Sequence, residues 1–169
     1  QELTNELMRN VDLVVVTGAL KNVNEAAISG TKSIGVGQGN VTSIIDETAD
    51  LDDALKKIKM SKIFDNATSC SSENNLILVE DIYEKAINSF SKVGAILLNN
   101  NQKKILQKNL WLNGRLNRKI IAKSAKFIAD KLNLKVGENI KILMVNEKGV
   151  GPDYPFLERN YLQYSRFIK

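Results

Sequence analysis

Cys70 is the only cysteine in a chain of 169 residues, and it lies in the run 64–74, FDNATSCSSEN, between an amphipathic stretch and an apolar one. A thiol is the most nucleophilic neutral side chain, but an ordinary thiol pKa of about 8.5 leaves little thiolate at neutral pH, so the surroundings must activate it. A loop that aims backbone N–H groups at the sulfur can do so. The competing reading is a small buried hydrophobe, the usual role of a lone cysteine. The chain has no histidine, which rules out a Cys-His dyad, a Ser-His-Asp triad and the common His-containing zinc sites within it. Chemistry here must be built from Cys70, carboxylates, lysines and backbone groups, and no metal site is expected.

A second candidate is the run 34–40, IGVGQGN, in which Gly35, Gly37 and Gly39 let backbone approach a ligand or a neighbouring chain closely. Their spacing is not GxGxxG, so by itself the run is as compatible with a structural turn as with a phosphate cradle.

These residues need a scaffold. Residues 11–16, VDLVVV, form a continuous apolar run ending in Thr17-Gly18, which predicts a buried parallel strand entering a turn. A short helix with Val23, Ala26 and Ala27 on one face should follow until Gly30, then a strand over 34–36. Residues 41–45 predict another strand, and Thr48 or Asp50 can cap a helix running to about Phe64. On that helix Leu51, Leu55, Ile58 and Lys62 make one stripe, widened by Ala54 and Ile63. After the cysteine loop the pattern predicts a strand over 76–79, a helix over 81–92 and a strand over 95–98. A polar loop at 99–101 and helices over 103–112 and 115–132, parted by Asn113-Gly114, come next, with Ile121, Ala125, Ile128 and Leu132 facing inward. A last strand is expected over 140–145, then a loop over 149–155.

This alternation predicts a three-layer α/β fold with a largely parallel sheet. Ligands in such folds bind at the carboxyl ends of the strands. Thr17-Gly18 lies at such an end, whereas Cys70 leads into its strand, so the pattern does not bring the two into one cleft.

Composition narrows the function classes. With 43% hydrophobic residues, no run of 18 apolar residues and no signal-peptide pattern, the chain reads as a soluble globular protein outside the membrane. A single cysteine cannot close an internal disulfide, so a reducing, cytoplasmic setting is the default. The net charge of +5 is spread over helix exteriors, and 6% aromatics give no stacking platform, which argues against nucleic acid. An anionic cofactor accounts for the mild basic excess equally well.

The ordered set strand-TG, GVGQGN, IIDETADLDDA, SKIFDNATSCSSEN and IYEKA, continued by LWLNGRLNRKIIAKSAKFIADKL and IKILMV, resembles the coenzyme A-acylating branch of the aldehyde dehydrogenase superfamily. The resemblance implies most of a catalytic domain over 40–169, incomplete at its C-terminus, preceded over 1–39 by the end of a nicotinamide cofactor-binding domain. It implies that Cys70 attacks an aldehyde to give a thiohemiacetal, then a thioester taken by coenzyme A, with NAD or NADP as hydride acceptor. Asn66 matches the asparagine preceding the nucleophile, and the Cys70 N–H would be one oxyanion donor. Thr17, Gly18, Gly35, Gly37, Gly39 and Asn40 match cofactor-side positions.

Hydrolytic members of the superfamily carry a general-base glutamate in the segment that here reads GVGQGN, with no carboxylate. A thioester spared from activated water survives for a better nucleophile. Glu73 follows the nucleophile in the acylating pattern and is equally readable as a solvent carboxylate, while Asp46 and Asp65 read as structural. TSCSSEN is similar to the sulfoacetaldehyde type more than to the acetaldehyde type.

Family members extend before the position of Gln1 and after Lys169, and the tail LERNYLQYSRFIK departs from the Glu-Lys-Leu-Ser-Pro-like continuation. The partners implied are a small aldehyde, coenzyme A and, for the full-length enzyme, further copies of itself. Two alternatives stand beside this: a non-catalytic segment with a structural or assembly role, and the related glutamyl phosphate reductase branch, which TADLDDA and CSSEN disfavour.

Overall fold

The computed structural model describes residues 1–37, 39–112, 115–147, 149, 154, 156 and 164–168, and the chain divides into two compact units, Gln1–Gly39 and Asn40–Lys169. In the first unit, helix α1 (Glu2–Arg9) precedes strand β1 (Val14–Thr17), helix α2 (Leu20–Ala27) and strand β2 (Ser33–Val36), and β1 and β2 pair in parallel. Its small core is Met8, Val14 and Ala26, with Val16 packed against it. The expected buried strand over 11–16 is only half buried: Val15 is 67% exposed, and Leu13 and Ile34 are also exposed. Strand residues alternate between faces, and within this unit the core lies on one face of a two-stranded sheet. Ala27, expected on the inner face of α2, is exposed.

The second unit is a five-stranded, all-parallel sheet in the order β3-β4-β9-β8-β5. Its strands are β3 (Val41–Ile45), β4 (Glu73–Leu78), β5 (Ala95–Leu97), β8 (Ile142–Asn146) and β9 (Tyr164–Ile168). Helices α3 (Leu51–Ile63) and α4 (Tyr83–Lys92) pack one face with Ile45, Leu76, Leu78, Ile142 and Met144. On the other face, α5 (Asn100–Leu110) and α6 (Ala125–Lys131) pack with Leu143 and Val145. The successive residues of β8 thus feed both cores, as expected of a strand covered on two sides. The predicted three-layer α/β fold is present.

Local chemistry sets the helix ends. The Asp50 carboxylate accepts the Asp53 N–H at 3.1 Å at the start of α3, whose stripe Leu51, Leu55, Ile58 and Lys62 is buried. α5 begins earlier than the expected residue 103. Asn99 and Gln102 form a reciprocal capping box, Asn99 Oδ1 accepting the Gln102 N–H at 2.9 Å and Gln102 Oε1 the Asn99 N–H at 3.0 Å. The asparagines expected as loop therefore build the cap and first turn. Helix α4 instead starts later than the expected residue 81, at Tyr83, after a 3₁₀ turn over Glu80–Ile82.

The expected helix over 115–132 is corrected. Its first part is a hairpin strand, β7 (Arg115–Leu116), paired antiparallel with β6 (Trp111–Leu112), which also ends α5 before residue 112. The buried Asn117 then donates its side-chain amide to the Asn109 carbonyl at 2.9 Å and accepts the Lys119 N–H at 3.0 Å. Such local bonds compete with a helix. Helix resumes only where Ser124 Oγ accepts the Phe127 N–H at 3.2 Å. The tail also yields a strand that was not expected, β9, seated between β4 and β8. The expected break at Asn113-Gly114 and most of the expected loop over 149–155 lie outside the described residues.

Candidate active site

Cys70 is exposed, on the connection between α3 and β4 at the amino end of that strand. The connection starts with a 3₁₀ turn, Phe64–Ala67, in which Asp65, Asn66 and Ala67 all have positive φ, +46°, +50° and +64°. The left-handed region costs about 1–2 kcal/mol at Ala67 and less at Asp65 and Asn66, whose short polar side chains tolerate it. Local bonds compensate: the Thr68 hydroxyl donates to the Asp65 carbonyl oxygen at 2.8 Å and pairs with the Asp65 carboxylate, and the Thr68 N–H reaches the same carbonyl at 3.1 Å. Around the cysteine, the Ser69 and Ser71 hydroxyls lie 2.9 Å apart and the Ser72 N–H donates to the Ser69 carbonyl at 3.2 Å.

Two bonds close the base of this connection. Ser72 Oγ donates to the Ser61 carbonyl at 3.2 Å, and Lys62 Nζ donates to Asn74 Oδ1 at 2.8 Å. Lys62 is 0% exposed. Its sequence signal is a lysine standing on an otherwise apolar helical stripe. Glu73, at the start of β4, has Oε2 enclosed without a hydrogen-bond partner among the described residues.

Asn66 is exposed on the same connection as Cys70, and the register Val41↔Glu73 sets Asn40 at this amino end of the sheet. Asp46 is at the opposite, carboxyl end of β3, where its carboxylate accepts the Thr48 hydroxyl at 2.6 Å and the Thr48 N–H at 3.0 Å. Those bonds, the hydroxyl first, hold its pKa below the ordinary carboxylate value. Both Asp46 and Asp65 thus serve turns.

In the first unit, Thr17 and Gly18 close β1 and Gly37 follows β2, with the Gly18 N–H donating to the Val36 carbonyl at 3.1 Å. The two strands therefore end in one lip. A side chain built at Gly18, Gly37 or Gly39 would meet nothing within 4 Å, so the backbone there is open. Gly35 differs: a Cβ there would lie 2.6 Å from Val23 Cγ1, so α2 itself occupies that space. Among the described residues no group of three or more Cys, Asp or Glu side chains could hold a metal ion, and no helix is long and apolar enough to cross a membrane.

No family profile matches the chain. It is 46% identical over 155 residues to the acylating sulfoacetaldehyde dehydrogenase of Cupriavidus necator, covering 90% of this chain and 31% of that protein. Among solved structures, it superposes with a TM-score of 0.91 on an acetylating aldehyde dehydrogenase from Geobacillus thermoglucosidasius, at 35% identity, over 98% of this chain and 37% of that one. It also superposes with a TM-score of 0.84 on a propionaldehyde dehydrogenase from Rhodopseudomonas palustris that holds coenzyme A and an acylated cysteine, at 27% identity, over 99% of this chain and 38% of that one. The chain is similar in sequence and in fold to the acylating aldehyde dehydrogenases, and it spans about a third of the length of the curated relatives it matches.

Proposed function

We propose that this chain supplies the nucleophilic part of an enzyme that converts an aldehyde, of the acetaldehyde or sulfoacetaldehyde kind, into an acyl-coenzyme A, with Cys70 as the nucleophile. The observation that carries this is an exposed, solitary cysteine three residues after a turn in left-handed backbone geometry, since such strain persists where the surrounding structure over-determines it. In this reading residues 40–169 are catalytic domain and residues 1–39 the end of a cofactor-binding domain.

Cys70 Sγ adds to the aldehyde carbon, and the carbonyl oxygen takes the negative charge as a thiohemiacetal forms. The Cys70 N–H stabilises that oxygen, such a donor being worth about 3 kcal/mol in the transition state, and Asn66, the asparagine preceding the nucleophile, belongs to the same catalytic connection. Loss of hydride from the same carbon leaves a thioester on Cys70. NAD or NADP accepts that hydride when bound, and coenzyme A is the co-substrate whose thiol takes the acyl group and frees Cys70. Thr17, Gly18, Gly37 and Gly39 would hold the cofactor's nicotinamide side, and Gly35 would shape the lip by admitting Val23. The run 35–40 offers no carboxylate to activate water, which supports thiolysis over hydrolysis. A reducing, cytoplasmic setting and homo-oligomeric assembly of the whole enzyme complete the reading.

The acyl-transfer half can be tested without a nicotinamide cofactor. On incubation with propionyl-coenzyme A, Cys70 should gain the propionyl group with release of the coenzyme thiol, faster in the folded chain than in urea. Intact mass reads the adduct, and Cys70→Ser should abolish it. Equal rates folded and unfolded would support the purely structural alternative and sink the assignment.

A further inference from the structure

We infer that Lys62 is a positioning residue for the nucleophile, strapping the Cys70 connection into its reactive shape, an inference that rests on reading Cys70 as that nucleophile. A fully buried lysine is rare, and its desolvation is costly unless it is paired. An apolar residue would have continued the stripe of Leu51, Leu55 and Ile58 at lower cost, so what the lysine adds is its reach. Lys62 Nζ crosses from the last turn of α3 to Asn74 Oδ1 in β4, 2.8 Å away, and the Ser72–Ser61 bond runs beside it. Residues 62 and 74 flank the whole connection, including the left-handed run Asp65, Asn66 and Ala67. Without the strap those residues would relax toward ordinary backbone conformations, and the Cys70 N–H that follows them would lose its fixed aim. The strap therefore serves the reaction in which an oxyanion forms.

Two reagents separate aim from exposure. Acylation of Cys70 by p-nitrophenyl acetate passes through an oxyanion, the thiolate attacking the ester carbon and expelling p-nitrophenolate, whereas alkylation by iodoacetamide displaces iodide at an sp³ carbon and builds none. The ratio of the two rates cancels differences in access and in thiolate supply. In this chain, Lys62→Met should lower that ratio about tenfold or more, as misplaced oxyanion donors do. Asn74→Leu should do the same. The double variant Lys62→Met/Asn74→Leu removes both ends of this bond, so it should be more stable than Asn74→Leu, which leaves the buried ammonium short of one acceptor, while its ratio stays low. Ser72→Ala, which removes only the neighbouring hydroxyl, should lower the ratio about threefold and answers the question if Lys62→Met does not fold. An unchanged ratio in folded variants, or a ratio that returns with stability in the double variant, overturns the proposal. A wild-type Cys70 acylated no faster than a cysteine in a peptide overturns the nucleophile reading, and this inference with it.

Discussion

Lys103 Nζ sits 2.8 Å from Glu147 Oε1 and donates to the Asn146 carbonyl oxygen at 2.6 Å, tying α5 to the end of β8. The Glu147 side chain is 6% exposed and that of Lys103 22%, so the pair is largely out of water. Removing one member of such a pair strands the other, at about 3 kcal/mol. Lys103→Met, which strands the drier Glu147, should cost about that much, and Glu147→Leu somewhat less, because Lys103 is the wetter partner and keeps the Asn146 carbonyl. The double replacement should cost less than either single one. Urea unfolding of the four proteins in a double-mutant cycle measures this, and additive losses would show that the two groups act independently.

Gly35 and Gly37 should respond oppositely to the same change. Gly35→Ala places a methyl 2.6 Å from Val23 Cγ1 and should destabilise the first unit by about 1 kcal/mol, as overpacking does. Val23→Ala in the same protein should relieve that clash. Gly37→Ala meets nothing and should raise stability by up to about 1 kcal/mol by narrowing the unfolded chain's freedom, so any loss of cofactor binding in the intact enzyme would then come from the ligand side. Thermal unfolding followed by circular dichroism gives the stability half directly.

What could be read from the chain follows the range of the forces involved. The strands over 41–45 and 76–79 and the stripe of α3 were legible because β-branched runs and helical spacing are local signals. β9 was not, because its place depends on pairing with β4 and β8, far away in sequence. The stripe Ile121, Ala125, Ile128 and Leu132 suggested a long helix, but the Asn117 amide bonds intervene before residue 124. At the site, Cys70 stood out as the single thiol. The left-handed turn at Asn66 did not, since Asp-Asn-Ala carries no glycine to announce it.

Asp46 gives a pH signature with a definite sign. Its folded pKa lies below the ordinary 3.8, first because of the Thr48 hydroxyl bond. A lowered carboxyl contributes stability that is fully present above its unfolded value and lost as pH falls through its folded value. Stability should therefore carry this contribution unchanged near neutrality and shed it only below about pH 4. Asp46→Asn keeps an oxygen that accepts from Thr48 but cannot titrate, so it should flatten the acid limb of stability against pH. An acid limb identical in slope to the wild type would remove Asp46 from the explanation.

Ala67 offers the most direct test of the strain beneath the nucleophile. Its φ of +64° is in the left-handed region, its side chain is 3% exposed, and it follows two residues in the same conformation. Glycine would remove a left-handed cost of about 1–2 kcal/mol. Against that stand the greater freedom glycine gives the unfolded chain, about 0.4–1 kcal/mol, and the loss of a small buried methyl. Ala67→Gly should therefore raise stability by a few tenths of a kcal/mol up to about 1 kcal/mol, with the Lys62 strap still fixing the turn and acylation of Cys70 unimpaired. Asn66→Ala should instead lose stability, because asparagine tolerates the left-handed region better than alanine. Urea midpoints read both, and acylation by p-nitrophenyl acetate reads the site. A clear loss of stability in Ala67→Gly would mean that the methyl packing outweighs the strain. A stable Ala67→Gly protein with slowed acylation would show that the strained backbone itself, beyond the strap that holds it, aims the oxyanion donors.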